Sequence, residues 1–137
     1  MHNLKKFWFP LFLWCLFIFA ASTIQVIKAP AIDLRDFIIK KSFHFVEYFI
    51  LFLFTFRALK NTTHLSIKKI YFYSILFIII YAATDELHQT LVPTREGKLR
   101  DVIIDTFGGS FAALILWKYL PKAPKKLKSW AKKLQVN

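Results

Sequence analysis

Cysteine occurs once in these 137 residues, at Cys15 inside an apolar run, so no intrachain disulfide can form and the redox compartment goes unmarked. Glycine occurs only three times, at Gly97, Gly108 and Gly109. No Walker loop, G-x-G-x-x-G or G-x-S-x-G is present, which leaves nucleotide use and a hydrolase elbow without support. Acidic residues are scarce as well: eight Asp and Glu stand against twenty Lys and Arg, a formal charge of +12. A charge of that size in one stripe would suit nucleic acid. Here the Lys residues punctuate long apolar runs instead, which is a membrane pattern, and no nucleic-acid partner is expected.

What the chain has in quantity is hydrocarbon. Apolar residues make up 56%, Phe alone occurs 16 times, and the mean hydropathy is +0.43. One domain's length of such sequence cannot clothe itself with a polar surface. Four apolar segments stand out. The first, Phe7 to Ile27, has 21 uncharged residues, enough to cross a bilayer core. Its start, "MHNLKK", with the following apolar run and "AAS", has the make-up of a secretory signal, but its length suits a retained anchor. Between Lys41 and Arg57 lie 15 residues, among them His44 and Glu47; between Lys69 and Asp85 lie 15; between Asp105 and Lys118 lie 12. A spanning helix needs about 20 residues to cross about 30 Å. These three segments therefore span only if their ionisable ends sit within the membrane's depth or in a local cavity. Pro93 and Pro121 set helix limits of Lys69 to Val92 and Asp101 to Leu120.

The charges then sort by side. With four passes, one side holds Lys5, Lys6, Arg57, Lys60, Lys68, Lys69 and seven Lys from Lys118 onward, with no acid. The other side holds seven basic residues and all eight acids. The positive-inside rule puts both termini in the cytoplasm and gathers the carboxylates at the outer face. The expected fold class is thus an all-α membrane protein of four transmembrane helices with both termini cytoplasmic. Residues 1–120 form the membrane domain and 121–137 a basic cytoplasmic tail.

In that tail, Leu127, Trp130, Ala131 and Leu134 recur at i, i+3, i+4 and i+7 among Lys125, Lys126, Lys128, Lys132 and Lys133. Such a basic amphipathic helix suits the anionic inner leaflet, and a solvated frayed tail is the alternative.

The stretch "TDELHQTLVPTREGKLRDVIID", residues 84–105, carries five of the eight acids. Its short loop with Pro93 and Gly97 predicts an antiparallel hairpin. Asp85, Glu86 and Gln89 on one arm then approach Asp101 and Asp105 on the other, and each i, i+4 pair shares a helix face. On the second segment His44, Glu47 and Tyr48 share a face. Intramembrane ionisable groups normally line a bundle interior, so these residues are expected around one outward-opening pocket. Arg95 and Arg100 would be counter-charges or anion ligands. The plainer alternative makes Asp85, Glu86 and Asp101 headgroup-level residues paired with Arg95, Lys98 and Arg100. Gly108, Gly109, Ala112 and Ala113 give small-residue spacings suited to close helix packing.

Four functional classes remain open on these residues, the plainest being an assembly factor with Gly108 to Ala113 as its partner surface. The pocket can bind a lipid headgroup or a lipid-linked cell-wall component; paired carboxylates with His44 or His88 can act as acid and base; or buried carboxylates can serve a proton-coupled carrier. No established catalytic motif is present, which leans away from an enzyme. Although His44, Glu47, Glu86 and His88 are metal-binding types, no ligand spacing such as H-E-x-x-H occurs, and neither metal nor cofactor is expected. Expected partners are membrane lipids, possible lipid-linked cell-wall component or glycopeptide, and a possible second copy of the chain.

The stretch "DELHQTLVPTREGKLRDVIIDTFG" resembles the VanZ-like family of small bacterial membrane proteins, through Asp85, Glu86, Gln89, Pro93, Arg95, Asp101 and Gly108 in order and spacing. "KSFHFVEY" resembles the family's earlier signature, through Lys41, His44, Phe45 and Tyr48. The departures are Thr94 and Asp105, where the family usually has Gly and Asn, Lys40 in place of an acid, and Ala112 in place of Gly. The resemblance implies a multi-pass protein of the bacterial cytoplasmic membrane, acting at its outer face. Its namesake is linked to teicoplanin resistance, and the resemblance supplies no reaction.

Overall fold

A computed structural model of the chain describes residues 2–24, 34–93, 95 and 97–136. Residues 25–27 of the first expected span, and Thr94, lie outside the described residues. Among the described residues the fold is all-helical, with no strand. Helix α1 runs His2–Thr23, α2 Leu34–Thr62, α3 Ile67–Gln89, α4 Leu99–Leu114, and a short α5 Lys125–Lys133.

The helices alternate in direction. Helix α2 packs against α1, α3 and α4, while α3 and α4 form the antiparallel hairpin. Trp8 Nε1 donates to Thr62 Oγ1 at one end of the α1–α2 pair. At mid-height, Trp14 Nε1 donates to the Glu47 carbonyl (2.9 Å) and Tyr81 Oη to the Cys15 carbonyl (2.6 Å), fastening α1 to α2 and α3. The core between them is aromatic and aliphatic: Ile18, Tyr48, Leu51, Phe52, Phe56 and Ile78 are fully buried.

Outside, the surface too is largely apolar, unlike that of a soluble bundle. Phe9, Phe12, Phe17, Phe43, Phe72, Ile80, Ile103, Phe107 and Trp117 are all exposed. Side chains of that kind around a bundle need an apolar solvent. Two helices, Leu4–Thr23 and Ile67–Gln89, are long and apolar enough to cross a membrane.

The expected helix limits shift for local reasons. Helix α2 is 29 residues long, well beyond the stretch between Lys41 and Arg57. Its flanking charges lie on exposed turns, as with Lys40, or cover neighbours, as with Arg57 over the Phe7 ring (5.1 Å), so they do not end the helix. Helix α4 ends at Leu114, and the chain continues through a wide π turn, Ile115–Tyr119, and a tight turn, Leu120–Lys122. Pro121 accounts for this: its ring would strike the carbonyl of Trp117 in a regular helix, and widening the preceding turn relieves the clash.

Two adjacent glycines let α4 sit close to its neighbours. A Cβ on Gly108 would collide with the Phe45 carbonyl of α2, and one on Gly109 would lie 2.9 Å from Ile78 Cγ2 of α3. Ala112 is fully buried one turn further on, while Ala113 is half-buried against the same core. After Pro124, α5 folds back to the end of α2: Arg57 Nη2 donates to Gln135 Oε1, and Asn61 Nδ2 to the Gln135 carbonyl (3.0 Å). Ala131 and Val136 turn into the core, leaving Leu127, Trp130 and Leu134 exposed.

Candidate functional site

The ends of α1 and α3 and the starts of α2 and α4 come together at one end of the bundle. Asp85, buried one turn before the end of α3, accepts a hydrogen bond from Ser22 Oγ of α1 (2.5 Å) and another from Gln89 Nε2 (3.0 Å). Both oxygens of this carboxylate are therefore engaged. Ser22 itself is buried. Sequence reasoning missed it; the one available signal was a hydroxyl closing an apolar run at the depth of an acid on another pass.

Glu86, the next residue, points to α4. Its Oε1 accepts the backbone N–H of Lys98, the residue that opens α4, and so anchors the hairpin loop to the end of α3. Its Oε2 is buried with no hydrogen-bond partner.

Arg95 is placed against α1. Its Nε donates to the Ile24 carbonyl (3.0 Å), just past the end of α1, and its Nη2 to the Ala21 carbonyl (3.2 Å), which also accepts the Ile24 N–H (3.3 Å). Two of its N–H donors thus clamp the end of α1, while its charge stays within electrostatic range of Glu47. Arg100 is mostly solvent-facing (58% exposed), lies 3.4 Å from Asp101, and covers the Phe37 ring (4.8 Å). Asp101 sits in the first turn of α4, where a negative charge favours the helix dipole, and pairs with Lys41 Nζ of α2 at 2.6 Å.

Deeper in, Asp105 of α4 faces His44 of α2. Asp105 is 1% exposed. His44 Nδ1 lies 3.4 Å from Asp105 Oδ1, an ion-pair distance. The approach lacks hydrogen-bond alignment, so His44 Nδ1 and both Asp105 oxygens make no hydrogen bond, although the two side chains face each other as an ion pair. One turn along α2, the Tyr48 hydroxyl is wholly buried and also unpaired. Half-buried Glu47 lies within electrostatic range of His44, Asp105 and Asp85, and Glu86 within range of Asp101, Asp105 and Lys41. The structure thus gathers His44, Tyr48, Glu86 and Asp105 at the junction of α2, α3 and α4. Asp85 and Gln89 form a neighbouring, internally satisfied set against α1. Arg95 and Arg100 stay at the rim.

Orphaned buried polar groups each cost about 1–3 kcal/mol. Several at one junction mark a place that a ligand or water would satisfy. Among the described residues, no group of three or more His, Cys, Asp or Glu is placed to hold a metal ion.

A family model described as VanZ/LLP1 matches residues 7–120. The chain belongs to that family. The matched stretch includes every residue of the junction and the rim. No curated protein and no solved structure matches the chain.

Proposed function

We propose that this chain is a four-pass protein of the bacterial cytoplasmic membrane whose outward polar chamber, between α2, α3 and α4, binds a lipid headgroup or lipid-linked cell-wall component. Through that binding it lowers susceptibility to glycopeptides such as teicoplanin or to other envelope stress. The carrying observation is the set of buried, unpaired atoms of His44, Tyr48, Glu86 and Asp105 at the carboxylate-rich end of the bundle.

The four-pass reading draws on lengths. At 1.5 Å per residue α2 reaches about 43 Å, and α4 with its two following turns about 36 Å, against a core of about 30 Å. Asp85, Glu86, Asp101 and Asp105 lie toward one end and the acid-free Lys-rich segments toward the other, so the positive-inside rule puts the carboxylate end outside and α5 at the inner leaflet. There the exposed Leu127, Trp130 and Leu134 enter the interface while the surrounding Lys meet anionic lipid.

Lipid retained by the purified protein tests the binding. Wild type should carry envelope lipid through detergent extraction, and the combined Glu86→Gln, Asp105→Asn variant should lose it. Equal retention by both would sink the reading. A second reading, acid–base chemistry on the same headgroup, is favoured by one feature, the facing of His44 and Asp105 at 3.4 Å. Turnover of a bound lipid that stops in His44→Gln would select it.

A further inference from the structure

The buried atoms without hydrogen bonds at the junction of α2, α3 and α4 are unequal in kind. Three are carboxylate oxygens, both of Asp105 and Oε2 of Glu86, on residues that are 1% and 5% exposed. The carboxylates of Glu47 and Asp85 lie in electrostatic range and add to the negative field. The nearby basic groups each have a partner already: His44 Nδ1 stands 3.4 Å from Asp105 Oδ1, Lys41 reaches Asp101 at 2.6 Å, and Arg95 donates to the carbonyls of Ala21 and Ile24.

An anionic phosphate offers only acceptors. In this place it would meet like charge and leave the carboxylate oxygens unsatisfied. A primary ammonium group carries three N–H donors and no acceptor, and its charge offsets carboxylates that are costly to hold together in an apolar medium. We infer that the chamber takes a primary ammonium group, with Asp105 and Glu86 accepting its N–H donors and the Tyr48 hydroxyl and His44 completing its surroundings. This rests on the headgroup reading above and names the chemistry of the group bound. Arg100, exposed at the rim, is then placed for the phosphate of a zwitterionic headgroup.

Trimethylating the nitrogen separates donation from charge, because it keeps the positive charge and removes every N–H. The full chain in detergent would be titrated with phosphatidylethanolamine, phosphatidylcholine and phosphatidylglycerol, and bound lipid counted by native mass spectrometry. Phosphatidylethanolamine should bind about tenfold more tightly than either other lipid, the factor expected for charge-assisted hydrogen bonds to buried carboxylates. In Asp105→Asn and in Glu86→Gln, both close to isosteric and checked for helicity and a monodisperse elution, that preference should fall to about twofold or less. Glycerophosphoethanolamine, which lacks acyl chains, identifies the source: competition by it at equal concentration places the amine in water, and its failure to compete places the amine in the bilayer. Either result carries the ammonium assignment.

Equal binding of phosphatidylethanolamine and phosphatidylcholine overturns the inference, as does a preference that persists in both variants. If all three lipids bind alike and both variants weaken them together, the headgroup reading stands and the ammonium assignment is wrong. If none binds, both are wrong.

Discussion

Gly108 and Gly109 are neighbours on one helix, yet alanine should affect them differently. A Cβ at 108 collides with the Phe45 carbonyl and lies 3.1 Å from that residue's C and Cα, all backbone atoms of α2. At 109 it meets Ile78 Cγ2 at 2.9 Å and Cγ1 at 3.1 Å, atoms of one buried side chain that need to give by only a few tenths of an ångström, with no backbone in the way. Inserting a methyl into a packed interface costs about 1–3 kcal/mol, with the upper end where nothing can yield. Replacing Gly by Ala in a helix returns about 1 kcal/mol. Gly108→Ala should therefore destabilise by about 2 kcal/mol, and Gly109→Ala by about 1 kcal/mol or less. Gly108 follows Asp105 by three residues, so moving α4 off α2 also lengthens the His44–Asp105 approach and opens the chamber. Reversible unfolding of the two variants in mixed micelles reads the difference. A Gly108→Ala protein as stable as Gly109→Ala, or more so, would refute the close α2–α4 contact.

Other expectations follow from the rim and the ends. Ser22→Ala leaves Asp85 Oδ1 buried without its donor and should cost about 1–3 kcal/mol in the same unfolding assay; no change would mean the two do not meet. Arg95→Ala removes a donor from the Ile24 carbonyl and the second donor of the Ala21 carbonyl, and should lower stability by about 1 kcal/mol while leaving lipid retention in place, whereas an anion ligand would show the reverse. Lys41→Met and Asp101→Asn should couple in a double-mutant cycle by about 1–3 kcal/mol, and additivity would deny their ion pair. For orientation, a Cys15→Ser chain carrying Lys98→Cys should label from outside intact cells, and one carrying Lys126→Cys only after permeabilisation. The opposite pattern would invert the proposed topology.

The shared helix faces were legible because helical spacing is local. Asp85 with Gln89, and Asp101 with Asp105, share faces by their i, i+4 register, and the short loop around Gly97 brings the two arms together. His44 and Tyr48 share a face for the same reason. What was not legible involves partners far apart in sequence. Ser22 finds Asp85 across 63 residues, and Arg95 finds Ala21 across 74. No spacing rule relates such positions, so the hold of Arg95 on the carbonyls at the end of α1 could not be read from the sequence. Charges misled on length: Lys41 and Arg57 looked like the limits of a short span, while α2 runs on past both, because long basic side chains extend along a helix without ending it. The π turn before Pro121 was foreseeable only as a helix limit, since widening a turn and ending it relieve the same clash.

The most direct test of the central claim is teicoplanin susceptibility of a sensitive Gram-positive host. It would express the intact chain, or its Glu86→Gln, Asp105→Asn variant, at matched membrane levels. The chamber account predicts that the intact chain raises the inhibitory concentration and the variant does not. Equal protection by both would contradict it, because the unpaired carboxylates would then have no part in the function.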